Sequence, residues 1–380
     1  MLYLAFPVGG GYGWGICSQQ LAKHLAGRTA VTFYTEGFGP GATVGPLEYH
    51  LLAPMVRPRE SVVGAKTVDG PVLQMAFNDS LMPWEPRLKG RFNAGYVFFE
   101  HTHFSAQHIE NARRHFDILV AGSSWAEAIL RSHGLESTST VIQGVEPKIF
   151  NPSGGPKEVF RDRFVVFSGG KFELRKGQDL VIKAFAAFAR THSDALLVAC
   201  WFNPWRSYLE SMSISPYIRF RPGKDFLSSV EAVLHDEGIN PSQVILLPPQ
   251  PHGIMAQVYK NTDVGIFPNR CEGGTNLVLM EYMACGRAPI ATYTSGHTDV
   301  LQPSWPTVLT DLKPMLIQRE GRPWAEWEEP TVDQLVAALE WAYDHPSELK
   351  NLGKKAAQAI APLTWERAAE RFWEILSFGP

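Results

Sequence analysis

The stretch Asn269-Arg270-Cys271-Glu272-Gly273-Gly274-Thr275-Asn276, continuing through Leu277 to Glu281 and Gly286, decides how the chain is read. It follows Thr262-Asp263-Val264-Gly265-Ile266-Phe267-Pro268, a short apolar run ended by a proline, which reads as a buried parallel strand. Beyond the glycine pair, Leu277, Leu279, Met280 and Met283 mark a helix, with Thr275 or Asn276 as N-cap and Gly286 just past its end. The order is strand, acid-bearing glycine loop, helix start. Adjacent glycines let backbone approach a ligand closely. The open amides of Thr275, Asn276 and Leu277, aided by the helix dipole, favour an anion there. Glu281 falls in the second turn, within reach of a hydroxyl on whatever carries the phosphate. An anion seat flanked by two carboxylates suits a sugar nucleotide: amides for phosphate, acids for hydroxyls. Taken alone, the same loop also fits a helix capped after a surface turn.

Glu272-Gly273-Gly274-Thr275-Asn276, followed by Glu281-Tyr282-Met283-Ala284-Cys285-Gly286-Arg287-Ala288-Pro289, resembles the donor-site signature of the retaining GT-B-fold glycosyltransferases of family 4, the glycosyl transferases group 1. In that signature two glutamates flank a glycine-rich loop, and alanine, glycine and proline follow the second. Seven residues usually separate the glutamates, whereas residues 273–280 make eight. The tail therefore identifies Glu281 as the second acid, and Glu272 stands before a one-residue insertion.

A second signature lies upstream. Phe164-Val165-Val166-Phe167 reads as a strand and is followed by Ser168-Gly169-Gly170-Lys171-Phe172-Glu173-Leu174-Arg175-Lys176-Gly177. A helix then starts near Asp179, with Leu180, Ile182, Ala184, Phe185 and Phe188 apolar. Lys171 and Lys176 thus fall in a strand-to-helix loop, where ammonium groups neutralise charge developing on a leaving diphosphate. A loop with three bases is equally a solvated surface loop. The family pattern is Gly-Arg, then Lys-Gly, and Gly170-Lys171 with Lys176-Gly177 matches it in register, lysine replacing arginine.

At the N-terminus, Leu2-Tyr3-Leu4-Ala5-Phe6 reads as a buried strand, followed by Gly9, Gly10, Gly11, Gly13 and Gly15 and a helix marked by Ile16, Leu21, Ala22 and Leu25. No G-x-G-x-x-G register fits, because Tyr12, Trp14 and Ser18 occupy required positions, so a dinucleotide site is disfavoured. The resemblance instead puts this loop across a cleft from the donor phosphates, with Gly13 and Gly15 as the matching positions. Residues 37–71 read as irregular surface elaboration. Tyr96-Val97-Phe98-Phe99 leads to Glu100-His101-Thr102-His103 at a strand's C-terminal edge, where open α/β sheets bind ligands. A lone histidine is more often structural. The family, however, carries one near the transfer centre at this place, which makes His101 the candidate and His103 the second choice.

Gln143-Gly144-Val145-Glu146-Pro147 through Asn151-Pro152 resembles the segment closing the family's first domain, and Ser153-Gly154-Gly155-Pro156 has linker composition. Residues 195–200 read as a strand, and 202–240 hold no usable motif. Residues 244–251 form a strand and proline loop positioned as the base-contacting loop is in the family. Trp324 and Trp327 flag a loop before a helix over 332–343, and Thr364-Trp365 opens a last helix.

The 380 residues are 19% charged with net charge −3, so no basic field points to nucleic acid or an anionic membrane. Cys17, Cys200, Cys271 and Cys285 lack CxxC or Cys/His ligand spacing and fit free thiols in a reducing cytoplasm. Residues 1–8 are too short an apolar run for a signal peptide, and no run approaches the ~20 residues a spanning helix needs. A cytoplasmic protein follows, soluble or peripheral at the membrane.

The alternation of strands and helices predicts an α/β chain of two Rossmann-like, doubly wound parallel-sheet domains with an interdomain cleft, which the resemblance makes a GT-B fold. Its expected divisions are an acceptor domain over 1–155, a nucleotide-sugar donor domain over 156–362, and a helix over 363–380 crossing back to the first. The resemblance implies a retaining, metal-independent glycosyltransferase of hexosyltransferase type that uses a UDP- or GDP-linked donor and no further cofactor. Its acceptor would be a glycan, lipid or small molecule. No Asp-x-Asp sequence is present. His101, Lys171, Lys176 and Glu272 are the expected catalytic residues, and Gly13, Gly15, Gly273, Gly274, Thr275, Asn276, Leu277 and Glu281 the donor-binding ones. A hydrolysing sugar-nucleotide epimerase and a non-catalytic sugar-nucleotide-binding protein are the alternatives.

Overall fold

The computed structural model describes residues 1–37, 44–155 and 157–378, apart from the side chain of Phe378. Residues 38–43 of the stretch expected to be irregular, Pro156 of the expected linker and the last two residues lie outside the described residues.

The strands run β1 (Leu2–Ala5), β2 (Val31–Thr35), β3 (Val56–Pro58), β4 (Lys66–Thr67), β5 (Pro71–Met75), β6 (Leu88–Lys89), β7 (Phe92–Val97), β8 (Ile118–Ala121) and β9 (Thr138–Thr140) in the first half. Seven of them form a sheet in the order β3-β2-β1-β5-β7-β8-β9, every neighbour pair parallel. The second half contributes β10 (Phe164–Lys171), β11 (Ala195–Phe202), β12 (Val244–Leu246), β13 (Val264–Phe267), β14 (Ala288–Thr292) and β15 (Val308–Leu309). These pair in parallel in the order β12-β11-β10-β13-β14-β15. Strands β13 and β14 are buried at every position. Helices cover both faces of such a sheet, so the strands read as continuous apolar runs without alternation.

Strand order fixes where ligands go. In the first sheet the chain winds outward through β2 and β3 and then returns to the other side of β1 at β5. In the second it does the same between β10 and β13. Helices on either side of such a reversal leave a crevice at the carboxyl ends of the strands. The two crevices face each other, so the loops after β1 and β5 oppose those after β10 and β13.

One apolar cluster runs through both sheets, from Leu4 and Val72 to Val166 and Ile290, with Phe150 and Trp365 at the joint. The last helix, Trp365–Phe378, lies against helix Gly13–Ala26, and Phe372 meets Tyr96 edge-on at 4.8 Å. Trp365 is so tightly seated that a Cβ on Gly144 would lie 2.0 Å from its amide nitrogen. No helix among the described residues is long and apolar enough to cross a membrane.

Two local expectations are corrected. The stretch 37–71 is not wholly irregular: it holds a helix, Pro46–Leu52, and supplies β3, the edge strand beside β2. Trp324 and Trp327 do not lie in a loop but on an antiparallel hairpin, β16 (Lys313–Arg319) and β17 (Arg322–Glu329). Its turn residues Glu320 and Gly321 have φ of 52° and 73°, the two-residue hairpin conformation whose twist matches the flanking strands.

Candidate active site

The facing crevices enclose a cavity of about 610 Å³. Its floor on the second-sheet side begins where β10 ends. Gly169, Gly170 and Lys171 line the cavity, and a single 3-10 turn, Leu174–Lys176, follows. Gly177 closes that turn at φ 73°, with room for no Cβ, since one would lie 2.3 Å from the Pro268 carbonyl oxygen. Glycine adopts that conformation without cost. The turn therefore packs directly on the acid-bearing loop after β13.

That packing creates an ion network. Lys176 Nζ donates to Glu272 Oε1 at 2.6 Å. Arg175 Nη1 donates to Glu272 Oε2 at 2.9 Å and to the Cys271 carbonyl at 2.9 Å, and its Nη2 donates to Glu173 Oε1 at 2.6 Å. Asn269 Nδ2 also donates to Glu272. From the opposite sheet, Glu100 Oε1 approaches Arg175 Nη1 at 3.6 Å. Lys171 Nζ sits 3.6 Å from Glu173 and over the rings of Trp205 and Tyr208, at 5.3 and 4.9 Å from their centroids. Burial alone would raise the Glu272 carboxyl, but Lys176 and Arg175 outweigh it and hold the group at about 2. Burial lowers the Lys176 ammonium despite its partner. With Glu272 ionised at neutral pH, the lysine is held in place by a charge-assisted bond.

The loop itself is anchored from behind. Arg270, fully buried, makes a bidentate pair with Asp179 at 2.9 and 2.8 Å and a third bond to Glu329 Oε2 at 2.7 Å. After it comes helix Leu277–Ala284, capped by Asn276 at φ 62° without a side-chain capping bond. The first amides of a helix lack intrahelical partners. Gly274, Asn276 and Leu277 line the cavity at that end. Asn276 is steadied by its side chain against His297 Nε2 at 3.3 Å, and burial lowers His297 to about 4, the neutral imidazole. One turn on, Glu281 also lines the cavity, with His252 Nε2 at 2.6 Å from Oε1 and the Tyr259 hydroxyl donating to Oε2 at 3.3 Å. Burial opposes the protonated form of His252, but Glu281 outweighs it and raises the imidazole above its ordinary value.

Of the residues expected from sequence, Gly13, Lys171, Lys176, Glu272, Gly274, Asn276, Leu277 and Glu281 share this one cavity. Four do not line it. Gly15 is buried in the helix after β1, and a Cβ there would lie 2.1 Å from the Gly9 carbonyl oxygen. Gly273 is pressed against the first sheet: its Cβ would fall 2.2 Å from the Phe99 carbonyl oxygen, and its own carbonyl accepts from Ser123 Oγ at 2.9 Å. The glycine pair thus lets two sheets approach, as well as any ligand. The Thr275 hydroxyl turns inward to Met280 Sδ. His101, 2% exposed, is boxed in by Phe104 at 4.5 Å and stacked on Trp324 at 5.3 Å. Burial, first, and neighbouring cationic groups lower its imidazole to about 3. Its neighbour Glu100 reaches the cavity instead. The loop carrying Lys171 and Lys176 is not the solvated surface loop that three bases suggest, because Arg175 is 9% exposed. Among the described residues no group of three His, Cys, Asp or Glu side chains is placed to hold a metal ion.

Reading by motif missed Arg175, Glu173, Glu100, His252 and Trp205. Arg175 lay inside a quoted signature, and its signal was an acid on either side of the crevice needing a buried partner.

Two doubly wound parallel sheets with their switch points facing across a cleft define the GT-B class of fold. Solved structures agree over the whole chain. Sucrose-phosphate synthase from Thermosynechococcus elongatus superposes with a TM-score of 0.70 at 17% identity, covering 99% of this chain and 98% of that one. Anabaena HepE in complex with UDP-glucose gives 0.67 at 13% identity, with 99% of each chain covered. At sequence level, residues 155–310 match the family Glycosyl transferases group 1, so the second sheet and its loops are a glycosyl transferases group 1 domain. D-inositol 3-phosphate glycosyltransferase 1 of Catenulispora acidiphila is 26% identical over 267 residues, 68% of this chain and 56% of that protein. The Acidothermus cellulolyticus D-inositol 3-phosphate glycosyltransferase is 26% identical over 198 residues, 50% of this chain and 41% of that protein. The chain thus aligns with about half the length of these curated relatives.

Proposed function

We propose that the protein is a retaining glycosyltransferase of family 4 that moves a hexosyl group from a UDP- or GDP-linked donor to an acceptor hydroxyl without a metal ion or other cofactor. One observation carries the reading. Lys171, Lys176, the helix start at Gly274, Asn276 and Leu277 and the carboxylates of Glu272 and Glu281 converge on one cavity at the ends of β10 and β13. In this assignment Lys171, Lys176 and the helix amides hold the diphosphate, Glu281 the ribose and Glu272 the donor sugar. His252 hydrogen-bonds Glu281, so it belongs to the ribose site as a positioning residue. The neighbour HepE is described with UDP-glucose bound, which supports a nucleotide-sugar donor here. We assign residues 1–155 to the acceptor half, 156–362 to the donor half and the last helix to a strap between them. The catalytic role of His101 is given up in favour of Glu100, which faces the cavity.

Transfer then proceeds at the anomeric carbon. The acceptor oxygen bonds to it as the carbon–oxygen bond to the diphosphate breaks. The electron pair leaves with the diphosphate, and the hydroxyl proton passes to the departing phosphate oxygen. Lys171 and Lys176 stabilise the charge that grows there. Incubating the protein with UDP- and GDP-linked hexoses and following the anomeric proton by NMR tests the reading. Release of an α-configured product from an α-linked donor is expected, and an inverted product refutes retention.

A further inference from the structure

The cavity has two walls of opposite character. Among the described residues every cationic side chain that lines it, Lys171, Arg175, Lys176 and His252, comes from the second half of the chain. Among the described residues the first-half wall offers Tyr12, Trp14, Phe77, Trp84 and Phe98, with Glu100 as its one charged group. No Lys, Arg or His of residues 1–155 is among the described residues lining the cavity, and residues 38–43 carry no charged residue in sequence. Behind this wall lies Arg59, whose guanidinium sits over Trp84 at 4.4 Å. It is already committed to Glu85 at 3.2 Å, to Glu36 at 3.5 Å and to the Trp84 carbonyl.

We infer that the acceptor is an uncharged molecule that presents an apolar ring face to Trp14 and Phe77 and offers its hydroxyl to Glu100. The inference rests on the transferase reading above and adds the acceptor's chemical class. A phosphate on the acceptor would lose water against this wall and gain no cation, and a buried anion without a partner is strongly disfavoured. The one charged group that this wall itself offers is a carboxylate, which repels it. An apolar ring face meets the aromatic side chains in offset or edge-on geometry, with favourable stacking beyond simple burial. Glu100 is suited to the hydroxyl because its side chain faces the cavity with Oε1 3.6 Å from Arg175 Nη1, and its carboxylate oxygens accept hydrogen bonds. It stands at the first-half end of the network whose other end, Glu272, is assigned to the donor sugar. Trp205, 39% exposed, extends the aromatic surface from the second half and meets Tyr12 edge-on at 6.0 Å across the mouth.

Calorimetric titration of the protein, loaded with whichever of UDP and GDP binds, compares phenyl glucoside with glucose 6-phosphate. The nucleotide occupies the cationic wall, so the phosphosugar cannot report on it. Phenyl glucoside is expected to bind at least tenfold more tightly. Phe77→Ala, at a half-exposed position, should weaken it at least fivefold, and Asn78→Arg should strengthen glucose 6-phosphate at least tenfold. Equal or tighter binding of glucose 6-phosphate by the unaltered protein overturns the inference. So does absence of phenyl glucoside binding, or a Phe77→Ala protein that binds it normally. Failure of the donor reading looks different: neither nucleotide binds, while the free protein still prefers phenyl glucoside.

Discussion

Replacing Lys176 with alanine separates two jobs that the structure gives one ammonium group. The lysine neutralises Glu272 at 2.6 Å in the free protein, and in the proposed reaction it also faces the leaving diphosphate. The first job sets the stability cost. A carboxyl held at about 2 rather than 4.5 favours its charged form by about 3 kcal/mol. Arg175 at 2.9 Å and Asn269 keep their share when the lysine goes. Lys176→Ala should therefore cost on the order of 1–2 kcal/mol of stability, a fall of about 2–8 °C in Tm. The second job sets the rate. Losing a preorganised cation at a developing oxyanion costs about 2.7–4 kcal/mol, roughly 10²–10³ in kcat. Steady-state release of nucleoside diphosphate measures this, and a double-mutant cycle with Glu272→Gln separates the two jobs. If the ammonium serves the leaving group, Lys176→Ala lowers turnover as much in the Glu272→Gln background as in the native one. A negligible further loss in that background would show that the lysine acts only through Glu272, and normal turnover of the single variant would remove it from the site.

Three further outcomes are expected. Folded His252 titrates above its ordinary value of 6.5 because Glu281 outweighs burial. Its stabilising contribution is thus present below that ordinary value and lost as pH rises through the raised one, so His252→Gln should lower Tm more at about pH 6 than at about pH 9; an equal fall at both contradicts the ion pair. Gly273→Ala places a Cβ 2.2 Å from the Phe99 carbonyl oxygen and should cost about 1–3 kcal/mol through forced separation of the sheets, read by urea unfolding; unchanged stability would mean the sheets do not meet there. If the lysines and helix amides hold the diphosphate as proposed, turnover should survive excess EDTA; complete loss restored by magnesium or manganese would contradict that assignment.

The elements legible in sequence were those whose chemistry is local. A buried strand ending in a glycine loop shows itself within a few residues, so β10, β13 and the loops carrying Lys171 and Glu272 could be placed from spacing alone. Partners that meet through the fold could not. Glu100 and Arg175 are 75 positions apart and touch because two sheets face each other. His101 illustrates the opposite error. Its local context points at the cleft, yet Trp324 and Phe104 enclose the ring, and residue 324 belongs to a hairpin whose turn, Glu320-Gly321, is a weaker signal than Asn-Gly or Asp-Gly. Trp205 and Tyr208 went unread because the helix they open, Arg206–Glu210, is too short to show a period, and their position beside Lys171 appears only once β10 and β11 are paired.

The β16–β17 hairpin also bears on how this chain can be recombined. Trp327 Nε1 donates to the Glu100 carbonyl at 2.6 Å, Thr102 N donates to the Trp324 carbonyl at 3.2 Å, and Glu326 N donates to Thr102 Oγ1 at 3.2 Å. An arm of the second half thus grips the edge of the first by backbone groups and two indoles. Chimeras that graft a foreign first half onto residues 156–378 would strand Trp324 and Trp327 against an unfamiliar surface unless the segment 100–104 travels with the hairpin. The two halves are therefore not interchangeable cassettes: an exchange of the first half must move the grip and its handle together.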